Sequence, residues 1–320
     1  MKRLFVIVPV ALLCMATASF AQQAKGKAAE AKLPAGWIIE RDIEYGRAGD
    51  RPLLLDMIRP ETPSGDKLPV VAFIHGGGWR NGDKAGAIGS QLSPIAATGN
   101  YICVSIGYRL SGEAKWPAHI HDCKAAIRWL KANADKYNLD PDKIGVWGGS
   151  AGGHLVSLLG TSGDITELDG DNGSNDQSSR VACVVDYCGP SDFLAFVSVS
   201  DSEGKSGARE ALKFLFGKEL DEVKDAVVTA SPATHVSSDD PPFLVVHGTA
   251  DPTVPIAQAE LLYDLLKKAG VDVTFVKMIG GGHAIRGAEI DARVLAFFDK
   301  HLRGQSVEVS EEPITVSAAN

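Results

Sequence analysis

Residues 143–159 read KIGVWGGSAGGHLVSLL, an apolar run, a Gly-Gly-Ser-Ala-Gly turn and a second apolar run. Lys143 to Trp147 has the β-branched and aromatic content of a buried strand, and Ala151 to Leu159 continues as a helix. Gly148-Gly149-Ser150-Ala151-Gly152 is therefore Gly-x-Ser-x-Gly between a strand and a helix. A chain that turns this sharply holds the serine in a strained backbone state and leaves no room for side chains on its neighbours. The Ser150 hydroxyl is then presented at the turn, and the first N–H groups of the new helix face the same point. A plain glycine-rich turn is the bland alternative; the strand–turn–helix context favours a nucleophile.

Outward from this motif, short apolar runs alternate with helical patterns. Val70 to Ile74, Tyr101 to Ile106, Val181 to Tyr187, Phe243 to Val246 and Val271 to Met278 read as strands. Residues 118–136, Ile256 to Lys268 and Ala288 to Leu302 show helical spacing. Continuous apolar strands between helices predict a mostly parallel sheet with helices on both faces. Trp37 to Tyr45 and Leu53 to Ile58 come without an intervening helix and predict an antiparallel start. Residues 192–238 break the rhythm, with a helical piece around Ala208 to Phe216. They form a small insertion before the strand that leads to Asp251, and a candidate lid.

Three further loops carry chemistry. His75-Gly76-Gly77-Gly78-Trp79 ends a strand upstream of the serine. Backbone N–H groups there and at Ala151 suit an oxyanion hole, assigned to Gly76, Gly77 and Ala151. His75 braces the loop, and Trp79 is either substrate-binding pocket wall or packing. Asp251 lies beyond the strand ending Val246-His247-Gly248. It is the favoured acid partner, with Asp192 as runner-up and Asp239 and Asp240 as solvated groups. His283 follows the last long strand within Gly280-Gly281-Gly282-His283. The order Ser150, Asp251, His283 is that of a strand-end serine triad. His154 lies one helical turn after Ser150 and points into packing, and His247 at a strand end is satisfied by backbone. The Asp164–Asp176 stretch lacks the glutamate that closes a calcium loop and reads as a flexible surface loop.

The strings HGGGW, GYRL, GGSAGGHL, HGTADPTVP and GGGH together resemble the hormone-sensitive-lipase-like α/β-hydrolases. They are most similar to bacterial secreted esterases of the acetyl xylan or feruloyl type. The resemblance covers roughly residues 40–303 and implies an α/β-hydrolase fold with Ser150, Asp251 and His283 as the triad. It implies a serine carboxylic-ester hydrolase that needs no metal and no organic cofactor. Its expected substrate is a small ester or an acylated polysaccharide. Little chain precedes Trp37, which disfavours the long N-terminal cap of lipase-like members. A prolyl-oligopeptidase-like peptidase, a lipase and a non-catalytic binding protein are the alternatives. The first usually brings an added domain, and the last loses a triad residue.

The 320 residues are 45% hydrophobic and 22% charged, enough for one large α/β domain. Lys2 and Arg3, the apolar Leu4 to Met15 and Ser19-Phe20-Ala21 read as a signal peptide over residues 1–21. Leu13 is too bulky to precede a lipidated Cys14. Residues 22–36 follow as a linker, 37–305 as the domain and 306–320 as a flexible tail. Cleavage after Ala21 would move the net charge from -8 to -10. An exported, periplasmic or extracellular protein of that sign is not expected to bind nucleic acid by bulk charge. No integral membrane segment is expected in the mature chain, and the sequence sets no oligomeric state. Cys103, Cys123, Cys183 and Cys188 read as small buried hydrophobes, although an oxidising compartment permits disulfides.

Overall fold

The computed structural model describes residues 32–63, 65–204 and 207–316. The expected signal peptide, most of the expected linker and residues 317–320 lie outside this range. Nine strands form one sheet in the order β1-β2-β4-β3-β5-β6-β7-β8-β9. They are β1 (Trp37–Ala48), β2 (Arg51–Pro60), β3 (Leu68–Ile74), β4 (Ile102–Ile106) and β5 (Leu139–Gly149). β6 (Cys183–Tyr187), β7 (Phe243–Gly248), β8 (Val273–Ile279) and β9 (Ile314–Thr315) complete it. β1–β2 and β2–β4 are antiparallel, and the pairs from β4–β3 to β8–β9 are parallel. This is the α/β-hydrolase architecture, a mostly parallel sheet covered on both faces.

Alternate residues of β3 explain the unbroken apolar strands. Val70, Ala72 and Ile74 enter one core with Ile127 and Leu130 of the helix Ala118–Ala132 and Leu155 of the helix Ala151–Thr161. Val71 and Phe73 enter the opposite core with Phe297 and Phe298 of the helix Ala288–Arg303. Burying both faces removes the polar alternation that marks a half-exposed strand.

The described residues of 192–238 include three α-helices, Phe193–Ser202, Ala208–Phe216 and Lys224–Thr229. Phe193, Leu212, Leu215 and Val227 anchor them to the main core. Two expectations need correction. Residues 306–316 are not a loose tail: Ile314 and Thr315 pair with Met278 and Ile279 on the edge of β8. Arg293 donates to the Ser310 carbonyl at 3.0 Å and also to that of Glu312, which fixes the approach to β9. Nor is the Asp164–Asp176 stretch a free surface loop. Lys124 Nζ lies 2.8 Å from Asp169 Oδ1, and Arg128 donates to the carbonyls of Asp169 and Gly173. Two cations of the helix Ala118–Ala132 thus hold one carboxylate and two carbonyls of the stretch.

Candidate active site

Ser150 sits where β5 turns into the helix Ala151–Thr161, with φ +58° and ψ -122°. No ordinary L residue rests easily there, so the surrounding packing holds the strain. Gly152 shows why the motif needs glycine. A Cβ on it would collide with the carbonyl oxygen of Ile74 at the end of β3. The Ser150 N–H donates to the Tyr187 carbonyl at 2.7 Å, which ties the turn to the end of β6.

His283 comes to the serine from the loop after β8. Its Nε2 lies 2.9 Å from Ser150 Oγ, and its Nδ1 lies 2.7 Å from Asp251 Oδ2. Two backbone bonds stitch the Asp251 and His283 loops together: Thr249 N to Met278 O at 3.0 Å and Ala250 N to Gly281 O at 2.9 Å. Asp251 Oδ1 accepts from the N–H groups of Thr253 and Val254 at 2.7 and 3.0 Å. Its Oδ2 also faces His247 Nε2 at 3.3 Å. Burial pushes this carboxyl up, but the hydrogen bonds from His247, His283 and Val254 outweigh it and hold Asp251 well below the usual carboxylate range. The acid is therefore ionised and fixed in direction.

The glycine loop after β3 stands beside the serine. Gly76 packs directly behind it, since a Cβ there would lie 3.3 Å from Ser150 Cβ. Gly77 adopts φ +116° and its carbonyl accepts from Arg80 N and Asn81 N, which closes the loop into a tight turn. His75 stacks on Tyr108 with centroids 4.4 Å apart, and the Tyr108 hydroxyl donates to the His75 carbonyl at 3.0 Å. His75 thus braces the loop. A cavity of about 250 Å³ opens at Ser150, with Gly78, Trp79 and Ala151 in its wall. Gly78, unassigned from sequence, reaches this cavity, whereas Gly76 and Gly77 do not line it.

Trp79 is both wall and packing. It is only 3% exposed, and its indole N–H donates to His154 Nδ1 at 3.2 Å. His154 Nε2 in turn donates to the Ala230 carbonyl at 2.7 Å. Burial pushes His154 down to about 4, against the upward pull of that Ala230 bond. The neutral ring links the glycine loop, the nucleophile helix and the insertion. The insertion supplies Phe196, Ser200, Ala208 and Ala211 to the same cavity, and the Asp251 loop supplies Val254. Ser200 is buried and its hydroxyl has no partner among the described residues. No spacing in the sequence marks these insertion residues, because they meet the site only through the fold.

Asp192, the runner-up acid, caps the helix Phe193–Ser202 by accepting from Ala195 N at 2.9 Å. His247 is not satisfied by backbone alone: Nε2 bonds the Val254 carbonyl at 2.9 Å and also faces Asp251. The four described cysteines are buried and free. Cys188 Sγ, an Asp251 oxygen and a His283 nitrogen lie within 4.8 Å of one another. Yet both Asp251 oxygens and His283 Nδ1 are engaged in hydrogen bonds, and burial pushes the Cys188 thiol well up, away from the thiolate a metal binds. Among the described residues no helix is long and apolar enough to cross a membrane.

The BD-FAE family pattern matches residues 55–266. The chain is 35% identical over 227 residues to a probable carboxylic ester hydrolase, LipM, of Mycobacterium tuberculosis, covering 71% of this chain and 51% of that protein. It spans about half of that relative's length. A solved structure titled as a truncated carbohydrate esterase from gut microbiota superposes with a TM-score of 0.74 at 28% identity, over 87% of this chain and all of that one. A bifunctional GH43-CE protein of Bacteroides eggerthii gives 0.74 at 32% identity, over 82% of this chain and 38% of that one.

Proposed function

This chain belongs to the BD-FAE family, and from that premise we propose that it is a serine carboxylic-ester hydrolase with Ser150, His283 and Asp251 as its triad. The carrying observation is the continuous hydrogen-bonded line from Ser150 Oγ, in the wall of a cavity, through His283 to an ionised Asp251. Ser150 Oγ attacks the ester carbonyl while His283 Nε2 takes its proton. The C–O bond to the alcohol breaks as His283 returns that proton to the leaving oxygen. Water, deprotonated by the same nitrogen, then releases the acid and restores Ser150. Asp251 keeps the His283 proton on Nδ1 and stabilises the charged ring. The N–H of Ala151, together with the glycine loop at Gly77 and Gly78, holds the oxyanion. Gly76 supports the serine from behind.

The substrate we propose is a short acyl ester, acetyl first, on a carbohydrate. A cavity of about 250 Å³ is small beside the roughly 300–1,000 Å³ of common ligand pockets. Phe196 and Val254 stand in its wall. The solved relatives titled as a carbohydrate esterase and a GH43-CE protein support the carbohydrate part. Export through residues 1–21 is proposed with it, since a polymer substrate lies outside the cell. Two measurements test the whole: labelling of Ser150 by a fluorophosphonate, and acetate release from phenyl acetate and acetylated xylan. A folded Ser150→Ala protein that still released acetate would refute the proposed nucleophile.

A further inference from the structure

A second, larger groove of about 590 Å³ adjoins the Ser150 cavity, and Gly78 and Ala211 line both. Its walls carry three cations, Arg80, Lys115 and Lys213, and one acid, Glu210. Lys213 is paired with Glu219. The other two are held differently. The Arg80 guanidinium carbon sits 4.2 Å and the Lys115 Nζ 4.1 Å from the ring centroid of Phe214. Lys115 Nζ also donates to the carbonyls of Ser111 and Phe214 at 2.7 and 3.0 Å, leaving one of its three N–H groups. Arg109 and Arg180 are bound to carboxylates, but among the described residues no carboxylate pairs with Arg80 or Lys115. Two cations thus stand ready in a protein whose net charge is -8. Overall charge repels anions here, so attraction has to be local.

We propose that this groove is a leaving-group subsite for an ester whose alcohol carries a carboxylate, an acylated sugar acid rather than a neutral sugar. The inference rests on the esterase reading and extends it. An ester diverges in two directions from its carbonyl carbon. The smaller cavity, walled by Phe196 and Val254, takes the acyl part. The groove that opens past Gly78, lined also by Gly77, Arg80 and Asn81, takes the alcohol. A guanidinium offers paired N–H donors that match a carboxylate. The Phe214 ring fixes both cations before substrate arrives, which lowers the ordering cost of binding.

The test is acetate release from mono-acetylated methyl glucuronides and the matching methyl glucosides, read as the ratio of kcat/KM values. At low ionic strength the ratio should favour the glucuronide by about five-fold, the scale expected of two exposed ion pairs. In 0.5 M salt it should fall toward one. Arg80→Gln should lower it to about two-fold, the share left to Lys115, and Arg80→Glu should bring it near one. The salt arm needs no variant, so misfolding cannot mask the result. A ratio of one in the unaltered protein at low salt overturns the subsite while the esterase reading stands. Cleavage of phenyl acetate but of neither sugar ester overturns the subsite and the carbohydrate substrate, and leaves the serine-esterase chemistry standing. Failure to cleave any of the three esters, with Ser150 unlabelled, removes the esterase reading itself.

Discussion

His247 Nε2 faces Asp251 Oδ2 at 3.3 Å, and the same oxygen accepts the Nδ1 proton of His283 at 2.7 Å. Two imidazoles therefore converge on one carboxylate oxygen, while two backbone N–H groups hold the other. His247→Ala should loosen the acid without touching the substrate. The expected result is a kcat lower by roughly ten-fold with little change in KM, the signature of a lost transition-state contribution. His247→Gln, which can still donate to Asp251, should recover part of the loss. Steady-state kinetics on phenyl acetate decide between this and a purely structural His247, whose loss would lower thermal stability and leave kcat intact.

Asp251→Asn should lower kcat by roughly 10³- to 10⁴-fold, because the amide favours the wrong imidazole tautomer. Asp192→Asn should be nearly silent, since asparagine caps a helix about as well as aspartate. Both proteins should remain folded by circular dichroism. The reverse pattern of activities would transfer the acid role to Asp192.

The insertion lines the cavity at Ser150, so the proposed short-acyl preference predicts that acyl length is set there. The unaltered protein should lose kcat/KM from acetate through butyrate to octanoate. Phe196→Ala opens the wall beside Ser150 and should move the optimum to a longer chain. Each methylene that finds an apolar place gains about 0.8 kcal/mol. A nitrophenyl ester series measures both profiles. An unaltered protein that gains through octanoate would contradict the short-acyl assignment.

Two buried groups tilt stability against pH in opposite senses. His154 is pushed down to about 4, whereas a free histidine titrates near 6.5. The unfolded chain gains a proton across that window and the folded one does not, so stability is lost as pH falls from about 6.5 to 4. His119, pushed down to about 3 by burial and by His154, adds to this slope. Burial pushes Asp186 up to about 6, against the hydrogen bonds from Ser157 and Gly189. Its contribution is fully present below the unfolded value near 3.9 and is lost as pH rises through about 6. His154→Gln should therefore flatten the acid limb of the Tm-against-pH curve, and Asp186→Asn should steepen it. Melting at half-unit pH steps reads both slopes, and two unchanged slopes would refute the assignment.

That Ser150, Asp251 and His283 converge was legible because each lies at the end of an apolar strand, where local pattern and position coincide. Ser150 was marked further by its flanking glycines and the helix behind it. The sheet was legible for the same reason: a strand buried on both faces carries its own signal. β9 was not. Its two residues carry too short a pattern to read, and the Arg293 bonds to the Ser310 and Glu312 carbonyls that steer the chain toward β8 are side-chain contacts no local pattern records. The Asp164–Asp176 stretch misled similarly, since its partners Lys124 and Arg128 are cations that a helix pattern alone assigns to solvent. Phe196, Ser200 and Ala211 were invisible as site residues: their spacing records the packing of their own helices and not the cavity they face.

The division between sheet loops and insertion has an evolutionary consequence. Ser150, Asp251 and His283 are set by strand ends, while much of the proposed acyl wall comes from helices inserted between β6 and β7. Exchanging those helices in a descendant would alter what is cleaved without disturbing how it is cleaved. Drift in the insertion is therefore the cheap route to a new substrate, and Trp79–His154–Ala230 marks the junction that every such variant has to rebuild.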